Sequence, residues 1–207
     1  MHVILNNVAK QFGREIIFRN VDLVLEAGSR TAILGPNGSG KSTLLQLIAG
    51  AITPTKGSIE HRIGDRIVPI DEVYRSVSIA SPYLGLYEDL SLRQAIAMHS
   101  RFKPFLSGIT AAEVVKIAYL EHAIEKPVGQ FSSGMKQRLK LSLAILSDTP
   151  LVLLDEPASN LDREAIGWYR EILPHFIGQR TLLVASNRQQ HEFEICGASI
   201  EMEALKD

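Results

Sequence analysis

The spacing of hydrophobic and polar positions divides the chain into a strand-rich first part, a helical middle and a third part in which strands and helices alternate. In the first part, short apolar or alternating runs predict strands, and Gly64-Asp65 predicts the turn of a hairpin. The predicted strands lie at residues 2–5, 15–18, 21–26, 31–34 and 77–80, and the hairpin lies at 58–70.

From Pro82 to Val128 the hydrophobic period becomes helical, with the clearest helices at 92–99 and 110–120. The third part predicts helices at 133–146 and 163–176, strands at 151–154 and 181–185, a helix after Asn187 and a last strand around 200–204. Strands that alternate with helices predict a parallel sheet covered on both faces.

A glycine-rich loop between the predicted strand at 31–34 and a helix at 42–49 fits the pattern Gly-x-x-x-x-Gly-Lys-Ser/Thr. Its residues are Gly35, Pro36, Asn37, Gly38, Ser39, Gly40, Lys41, Ser42 and Thr43. Backbone N–H groups and the helix N-terminus bind phosphate oxygens in such a loop, Lys41 adds charge, and Ser42 offers a hydroxyl to Mg²⁺. A turn that binds nothing is the alternative, but the strand-loop-helix setting favours a nucleoside triphosphate site.

The loop and the alternating elements together predict an α/β fold of the P-loop NTPase type. Its parallel-sheet core carries an antiparallel β-subdomain and an inserted α-helical subdomain. We expect a single domain over 1–207, in which residues 1–81 and 129–207 form the nucleotide-binding lobe and residues 82–128 the helical lobe. With 207 residues, 45% of them hydrophobic, the chain can bury such a core.

Composition and charge argue against several kinds of partner and cellular compartment. The net charge is −1 and like charges form no run, so neither a nucleic-acid partner nor an anionic membrane surface is expected. One cysteine, Cys196, excludes an internal disulfide, and the N-terminus lacks the pattern of a secretory signal, so the cytosol is the expected compartment. Because no apolar run approaches the roughly 18 residues of a spanning helix, a membrane role requires another chain.

Two carboxylates follow the apolar strand predicted at 151–154. Asp155 and Glu156 would lie at its C-terminal end, where open α/β sheets bind ligands. Asp155 can face Mg²⁺ directly or through water, and Glu156 can polarise the water that attacks the γ-phosphate. The alternative is that the two acids form a solvated turn or a helix N-cap. The presence of a phosphate loop in the same chain favours the functional interpretation.

A small-residue loop, Ser132-Ser133-Gly134, opens the helix predicted at 133–146. Free N–H groups and the positive end of the helix dipole can bind an anion there. Considered alone, the loop is better explained as a serine N-cap. Phe12 stands alone in a polar stretch, where it can stack on an adenine ring or pack at the edge of the core.

These motifs occur in an order and at approximate spacings that resemble the ATP-binding subunits of ATP-binding cassette (ABC) transporters, over essentially the whole chain. The resemblance implies a head-to-tail dimer, homo- or heteromeric, in which the phosphate loop of one subunit and Ser132-Ser133-Gly134 of the other enclose each ATP. It also implies that Phe12 stacks on adenine and that Asp162 belongs to a loop that couples the two sites. An integral membrane permease would be the further partner, and the chain would lie on the inner face of the cell membrane.

Two catalytic positions depart from the family pattern, and the loop at the start of the helix also differs, with Ser133 and Met135 where glycine and glutamine are commonest. Ser81 stands where the family usually has a glutamine that reaches Mg²⁺ and the attacking water, and a serine would need a bridging water. Asn187 stands where a histidine usually contacts the γ-phosphate, and an asparagine can donate a hydrogen bond but carries no charge. His191, one turn later, is interpreted as a surface histidine rather than a displaced substitute.

The leading hypothesis is an ATPase subunit that drives separate membrane subunits, with slow turnover because of Ser81 and Asn187. Its expected catalytic residues are Glu156, Lys41 and Asn187, and its expected Mg²⁺ ligands are Ser42, Asp155 and Ser81. The segment 83–87 would then meet a helix of the membrane partner, or merely cap the helical lobe. An ATP-gated switch with little hydrolysis is the alternative. A cassette for iron-sulfur assembly or nucleic-acid maintenance fits the composition less well.

Overall fold

Nine strands and six helices make up the fold of residues 1–205, which a computed structural model describes. The strands are β1 (His2–Phe12), β2 (Glu15–Leu25), β3 (Arg30–Leu34), β4 (Lys56–Ile63), β5 (Arg66–Ile67), β6 (Val77–Ala80), β7 (Leu151–Asp155), β8 (Thr181–Ser186) and β9 (Ala198–Glu201). The helices are α1 (Lys41–Ile48), α2 (Val73–Ser76), α3 (Leu92–Phe102), α4 (Ala111–Ile117), α5 (Ser133–Leu146) and α6 (Arg163–Ile177). The predicted end of the nucleotide-binding lobe at residue 207 lies outside the described residues.

A five-stranded parallel sheet forms the centre, in the order β6-β7-β8-β3-β9. Every residue of β7 and β8 is buried. The apolar runs of these strands carry no alternation because helices and loops cover both faces of the sheet. The α/β prediction is confirmed, and the C-terminal ends of β3, β6, β7 and β8 meet at one edge.

A second, antiparallel sheet has the order β2-β1-β4-β5. The prediction of separate strands at 15–18 and 21–26 is wrong, since both belong to β2. Asn20 takes a left-handed backbone conformation, φ 53°, and the register against β1 shifts in this region. An asparagine tolerates that conformation, so the strand continues through an irregularity instead of ending.

The helical lobe is built on two well-capped helices. The Ser91 hydroxyl accepts from the Gln94 N–H at the start of α3, and Thr110 does the same with Glu113 at the start of α4, each as a capping box. Their apolar faces share a buried cluster with α5. Since α5 also packs against β6 and β7, it joins the helical lobe to the central sheet.

The C-terminal part differs most from the predictions. The helix expected after Asn187 is a single 3₁₀ turn, Gln190–Glu192. The last strand lies at Ala198–Glu201, and residues 202–205 form a 3₁₀ turn rather than its continuation. Met202 is fully buried in the cluster shared with β1 and β2, and this packing turns the chain out of the sheet. Within residues 1–205, no helix combines the length and apolarity needed to cross a membrane.

Candidate functional site

The phosphate loop connects β3 to α1 through two glycines with left-handed backbones, Gly38 (φ 78°) and Gly40 (φ 102°). Gly40 is the N-cap of α1. A Cβ at Gly40 would lie 2.8 Å from Cγ2 of Ile17. Both the backbone angle and this close approach require glycine, which lets the loop wrap closely at the start of the helix.

Lys41, the first residue of α1, extends its side chain back along the loop. Its ammonium donates to the carbonyl oxygens of Gly35, at 2.9 Å, and Pro36, at 3.1 Å. The same Nζ lies 3.8 Å from Oε1 of Glu156. Lys41 is only 4% exposed, so a buried positive charge faces the carboxylate at the end of β7.

Asp155 ends β7 and is 1% exposed. Its Oδ2 accepts a hydrogen bond from Oγ of Ser81, at 2.9 Å, whereas its buried Oδ1 has no hydrogen-bond partner within residues 1–205. Burial raises the pKa of this carboxyl, against the opposing effects of the Ser42 and Ser81 hydroxyls and the Lys41 ammonium. A buried, unpartnered carboxylate oxygen near a serine hydroxyl fits a hard cation such as Mg²⁺.

Glu156 has a left-handed backbone, φ 45°, and its N–H donates to the Ala185 carbonyl of β8 at 2.9 Å. Left-handed backbone is unfavourable for a glutamate, and the contact with β8 holds it there. The side chain remains about one-third exposed. It lines two neighbouring cavities, one at the phosphate loop and one at Asn187. Glu156 therefore lies between the two.

The cavity at the phosphate loop has a volume of about 460 Å³. Phe12 lines it and is 48% exposed, with the Lys10 ammonium 4.6 Å from the centre of its ring. Tyr83 and Gln46 line it as well, and the sequence pattern singled out neither for this cavity. Phe12 thus presents an aromatic face to solvent beside the loop instead of packing into the core.

The second cavity, of about 280 Å³, brings together Asn37 and Glu156 with Asn187, His191 and Glu192. Asn187 directly follows β8 and is exposed. His191, interpreted from the sequence as a surface residue, is half-buried and lines the cavity. The sequence does not identify the buried Glu192 as a residue of the site, since a single glutamate in a polar stretch matches no functional motif.

The small-residue loop at the start of α5 lies apart from these two cavities. Ser132 is the N-cap, and its Oγ accepts from the Met135 N–H at 3.2 Å. Ser132 and Ser133 are exposed, and a Cβ at Gly134 would lie 3.4 Å from the carbonyl oxygen of Asn160. A single chain thus brings together the phosphate loop, Asp155, Glu156 and Asn187, whereas Ser132-Ser133-Gly134 lines neither cavity.

Comparison with known proteins agrees with this geometry. The family model described as ABC transporter matches residues 18–159. The cytochrome c biogenesis ATP-binding export protein CcmA of Brucella abortus is 31% identical over 192 residues, which cover 90% of this chain and 85% of that protein. The sulfate/thiosulfate import ATP-binding protein CysA of a Synechocystis strain is 31% identical over 98% of this chain and 58% of its own length.

Among solved structures, the fold is similar to that of the ATP-binding cassette MJ0796, in its dimeric post-hydrolysis state bound to ADP and Pi. The TM-score is 0.81 at 24% identity, with 96% of this chain and 93% of the other covered. The family model covers more than half of the chain, and CcmA exceeds 30% identity over nearly all of it. The chain therefore belongs to the ABC transporter family, as an ATP-binding subunit.

Proposed function

We propose that the chain hydrolyses ATP as one half of a head-to-tail dimer and that closure of this dimer drives separate membrane subunits. The observation that carries the proposal is the position of Glu156. Its carboxylate lies 3.8 Å from the Lys41 ammonium and lines both the phosphate-loop cavity and the cavity at Asn187. A carboxylate in that place can orient and polarise a water molecule beside a bound γ-phosphate.

The other residues of the site have distinct proposed roles. The loop from Gly35 to Thr43 binds the phosphates through its N–H groups and Lys41, while Phe12 stacks on the adenine. Ser42 and Asp155 would hold Mg²⁺, which when bound neutralises charge on the phosphates. Asn187 donates a hydrogen bond to the γ-phosphate from the far side of the second cavity.

The proposal of a dimer follows from a loop that a single chain does not bring to its own phosphate-loop cavity. Ser132, Ser133 and Gly134 are placed at a helix N-terminus that can bind an anion, yet they do not line the phosphate-loop cavity. A second copy, or a related subunit, would bring its own loop to the γ-phosphate side of the bound ATP. The dimeric state in which MJ0796 holds ADP and Pi supports this arrangement.

A groove between the segment that follows β6 and helix α3 is the proposed contact with the permease. Its volume is about 320 Å³, and its apolar lining includes Leu84, Leu86 and Met98. Tyr87 and Phe102, 66% and 60% exposed, also line it and would be covered by a partner. The chain would then lie on the cytoplasmic face of the membrane.

The charges in this groove indicate the chemistry of the partner segment. Lys103 and Lys140 both line the groove, and burial lowers the pKa of each. Within the described part of the chain, neither forms a salt bridge. We infer that an amphipathic helix occupies the groove, with an apolar face against the aromatic side chains and an acidic residue close to Lys103.

The test compares the purified chain with its Glu156→Gln variant. We expect the wild type to hydrolyse Mg-ATP, and the variant to bind ATP with similar affinity, to lose at least roughly a hundredfold in turnover and to accumulate as a dimer. Turnover is measured by phosphate release and dimerisation by light scattering after gel filtration. Equal turnover in the two proteins would exclude Glu156 as the group that activates water.

Asn187 and Ser81 favour a second candidate, an ATP-gated switch whose closed state is read by a partner with little hydrolysis. Neither side chain can supply the charge or the reach of the residues the family usually has there. Single-turnover measurement separates the two candidates. A switch retains intact ATP for hours in the presence of Mg²⁺, whereas a transporter ATPase converts it to ADP.

A further inference from the structure

A third buried carboxylate lies at the catalytic end of the sheet. Glu192, the last residue of the 3₁₀ turn Gln190–Glu192, is 3% exposed and lines the cavity shared by Glu156 and Asn187. Neither the sequence motifs nor the roles proposed above use this residue. Charged side chains are rarely buried unless they are paired or fully hydrogen-bonded, so its contacts call for an explanation.

Both oxygens of the Glu192 carboxylate accept hydrogen bonds. Oε1 accepts from the backbone N–H of Ala158, at 3.0 Å, and Oε2 accepts from Oγ of Ser186. The backbone carbonyl of Glu192 accepts from the Tyr169 hydroxyl of α6, at 2.6 Å. One residue therefore connects a loop, a strand end and a helix that lie far apart in the sequence.

The two groups bound by this carboxylate lie next to the catalytic residues. Ala158 comes two residues after Glu156, and Ser186 directly precedes Asn187. The Ser186 hydroxyl also accepts from the Gln189 N–H, at 3.1 Å, which fixes the start of the turn. The Glu192 carboxylate is thus a bridge between the segment that carries Glu156 and the segment that carries Asn187.

The bridge is maintained against unfavourable electrostatics. Burial raises the pKa of Glu192, and the nearby carboxylates of Glu156 and Asp155 act in the same direction, while the bonds from Ser186 and Ala158 oppose them. A buried acid beside two others destabilises the folded chain unless its hydrogen bonds are well made. What these hydrogen bonds achieve is a fixed separation of two segments that flank one cavity.

We propose that Glu192 is a positioning residue for ATP hydrolysis, which holds Glu156 and Asn187 on opposite sides of the cavity without touching the nucleotide. The proposal rests on the roles given above to Glu156 and Asn187. Since Glu192 acts on the placement of groups that work in the transition state, its loss lowers kcat and leaves the KM for ATP almost unchanged.

The experiment compares Glu192→Ala, Glu192→Gln and the control Glu194→Gln in the full chain. Glu194 is exposed and pairs with Arg170 at the surface, so its variant changes the same charge two residues away. We expect Glu192→Ala to lose roughly ten- to a hundredfold in kcat, as positioning residues around reactive groups do, with KM within about twofold. Glu192→Gln keeps an acceptor for Ala158 and a donor for Ser186, so it retains most of the activity. The control matches the wild type.

A double-mutant cycle supplies the kinetic test if Glu192→Ala folds poorly. Ser186→Ala removes one end of the bridge, and Glu192→Asp shortens the other end so that one carboxylate cannot reach both partners. Their effects on kcat should therefore be clearly non-additive. Strict additivity would overturn the proposal. So would a folded Glu192→Ala variant with kcat within twofold of the wild type, or one that loses ATP affinity in the same proportion as kcat.

Amide hydrogen exchange tests the bridge without reference to hydrolysis. The Ala158 amide should be protected in the wild type and in Glu194→Gln, and should exchange at least roughly tenfold faster in Glu192→Ala. Unchanged exchange in that variant overturns the proposal. One further outcome is that the wild type does not hydrolyse ATP while the Ala158 amide still exchanges faster in Glu192→Ala than in the wild type. In that case the proposed function is wrong, but the structural bridge is supported.

Discussion

The hydroxyl of Ser81 donates a hydrogen bond to Oδ2 of Asp155 at a distance of 2.9 Å. From the sequence, both residues were expected to be ligands of Mg²⁺. Ser81 is 1% exposed and faces the carboxylate, so its hydroxyl fixes one oxygen of Asp155 and leaves the other, Oδ1, without a hydrogen-bond partner among residues 1–205. The short side chain thus reaches the proposed cation site through Asp155.

The buried charge of Asp155 predicts a stabilising substitution. Burial raises its pKa in the folded chain, so above the unfolded value of 3.8 the folded state binds more protons than the unfolded state. Its contribution to stability therefore falls as the pH rises through the window between the two pKa values. We expect Asp155→Asn to raise the free energy of unfolding at pH 7.5 by about 0.5–2 kcal/mol without nucleotide or metal, and by less near pH 4.

Thermal unfolding of both proteins at the two pH values checks this prediction. Mg-ATP should reverse the order, because it stabilises the wild type through binding more than it stabilises the variant. A lower melting temperature of Asp155→Asn at pH 7.5 without ligand would show that the buried carboxylate stabilises the fold.

Asn187 predicts a substitution that raises turnover. At the end of β8 it lines the cavity with Glu156, and an imidazole there can donate a hydrogen bond and carry a positive charge. We expect Asn187→His to raise kcat and Asn187→Ala to lower it by roughly a hundredfold, on the scale of the loss of one well-placed donor. Steady-state phosphate release between pH 5.5 and 8.5 measures both. A fully active Asn187→Ala variant would remove Asn187 from the mechanism.

Two substitutions of Ser132 separate its role as a helix N-cap from its proposed contact with the ATP of a partner subunit. As the N-cap of α5 its Oγ accepts from the Met135 N–H, and Ser132→Ala should destabilise the chain by about 1 kcal/mol. Ser132→Asp keeps a good cap and favours the helix dipole, but its charge would repel the phosphate of an ATP held by a partner subunit. We therefore expect the aspartate variant to melt like the wild type and to lose ATP-dependent dimerisation. Normal dimerisation would leave Ser132 with the capping role alone.

Tyr87 tests the proposed permease groove. It is 66% exposed and lines the groove away from the phosphate loop, so Tyr87→Ser should leave ATP hydrolysis by the isolated chain within about twofold. In the cells that naturally make the chain, the amount of the Tyr87→Ser variant recovered with washed membranes should fall several-fold. This is the effect expected when an aromatic anchor is lost from an interface. Tyr119→Ser, which changes a 51% exposed tyrosine outside the groove, is the matched control. Equal recovery of both variants would place the membrane contact elsewhere.

Much of the fold could be predicted because its signals are local. Helix α5 has the bounds 133–146 that its period predicts, and β6 has the bounds 77–80 of its apolar run. The phosphate loop requires glycines at particular backbone angles and a helix directly behind it, and both requirements appear in consecutive residues. The family resemblance depended on the same local motifs and on their order.

The sequence by itself therefore determined the fold class, the phosphate loop and the acidic end of β7. Only the tertiary structure decided how separate segments meet: that β2 runs on through Asn20, that His191 lies in the cavity, and that Ser81 donates to Asp155. Glu192 is the clearest case, because Ala158 and Ser186, the residues it binds, lie 34 and 6 positions away. The spacing of apolar residues predicts which side of each helix or strand faces the core. Which polar groups are buried together depends on packing between distant elements, and no pattern of neighbouring residues carries that information.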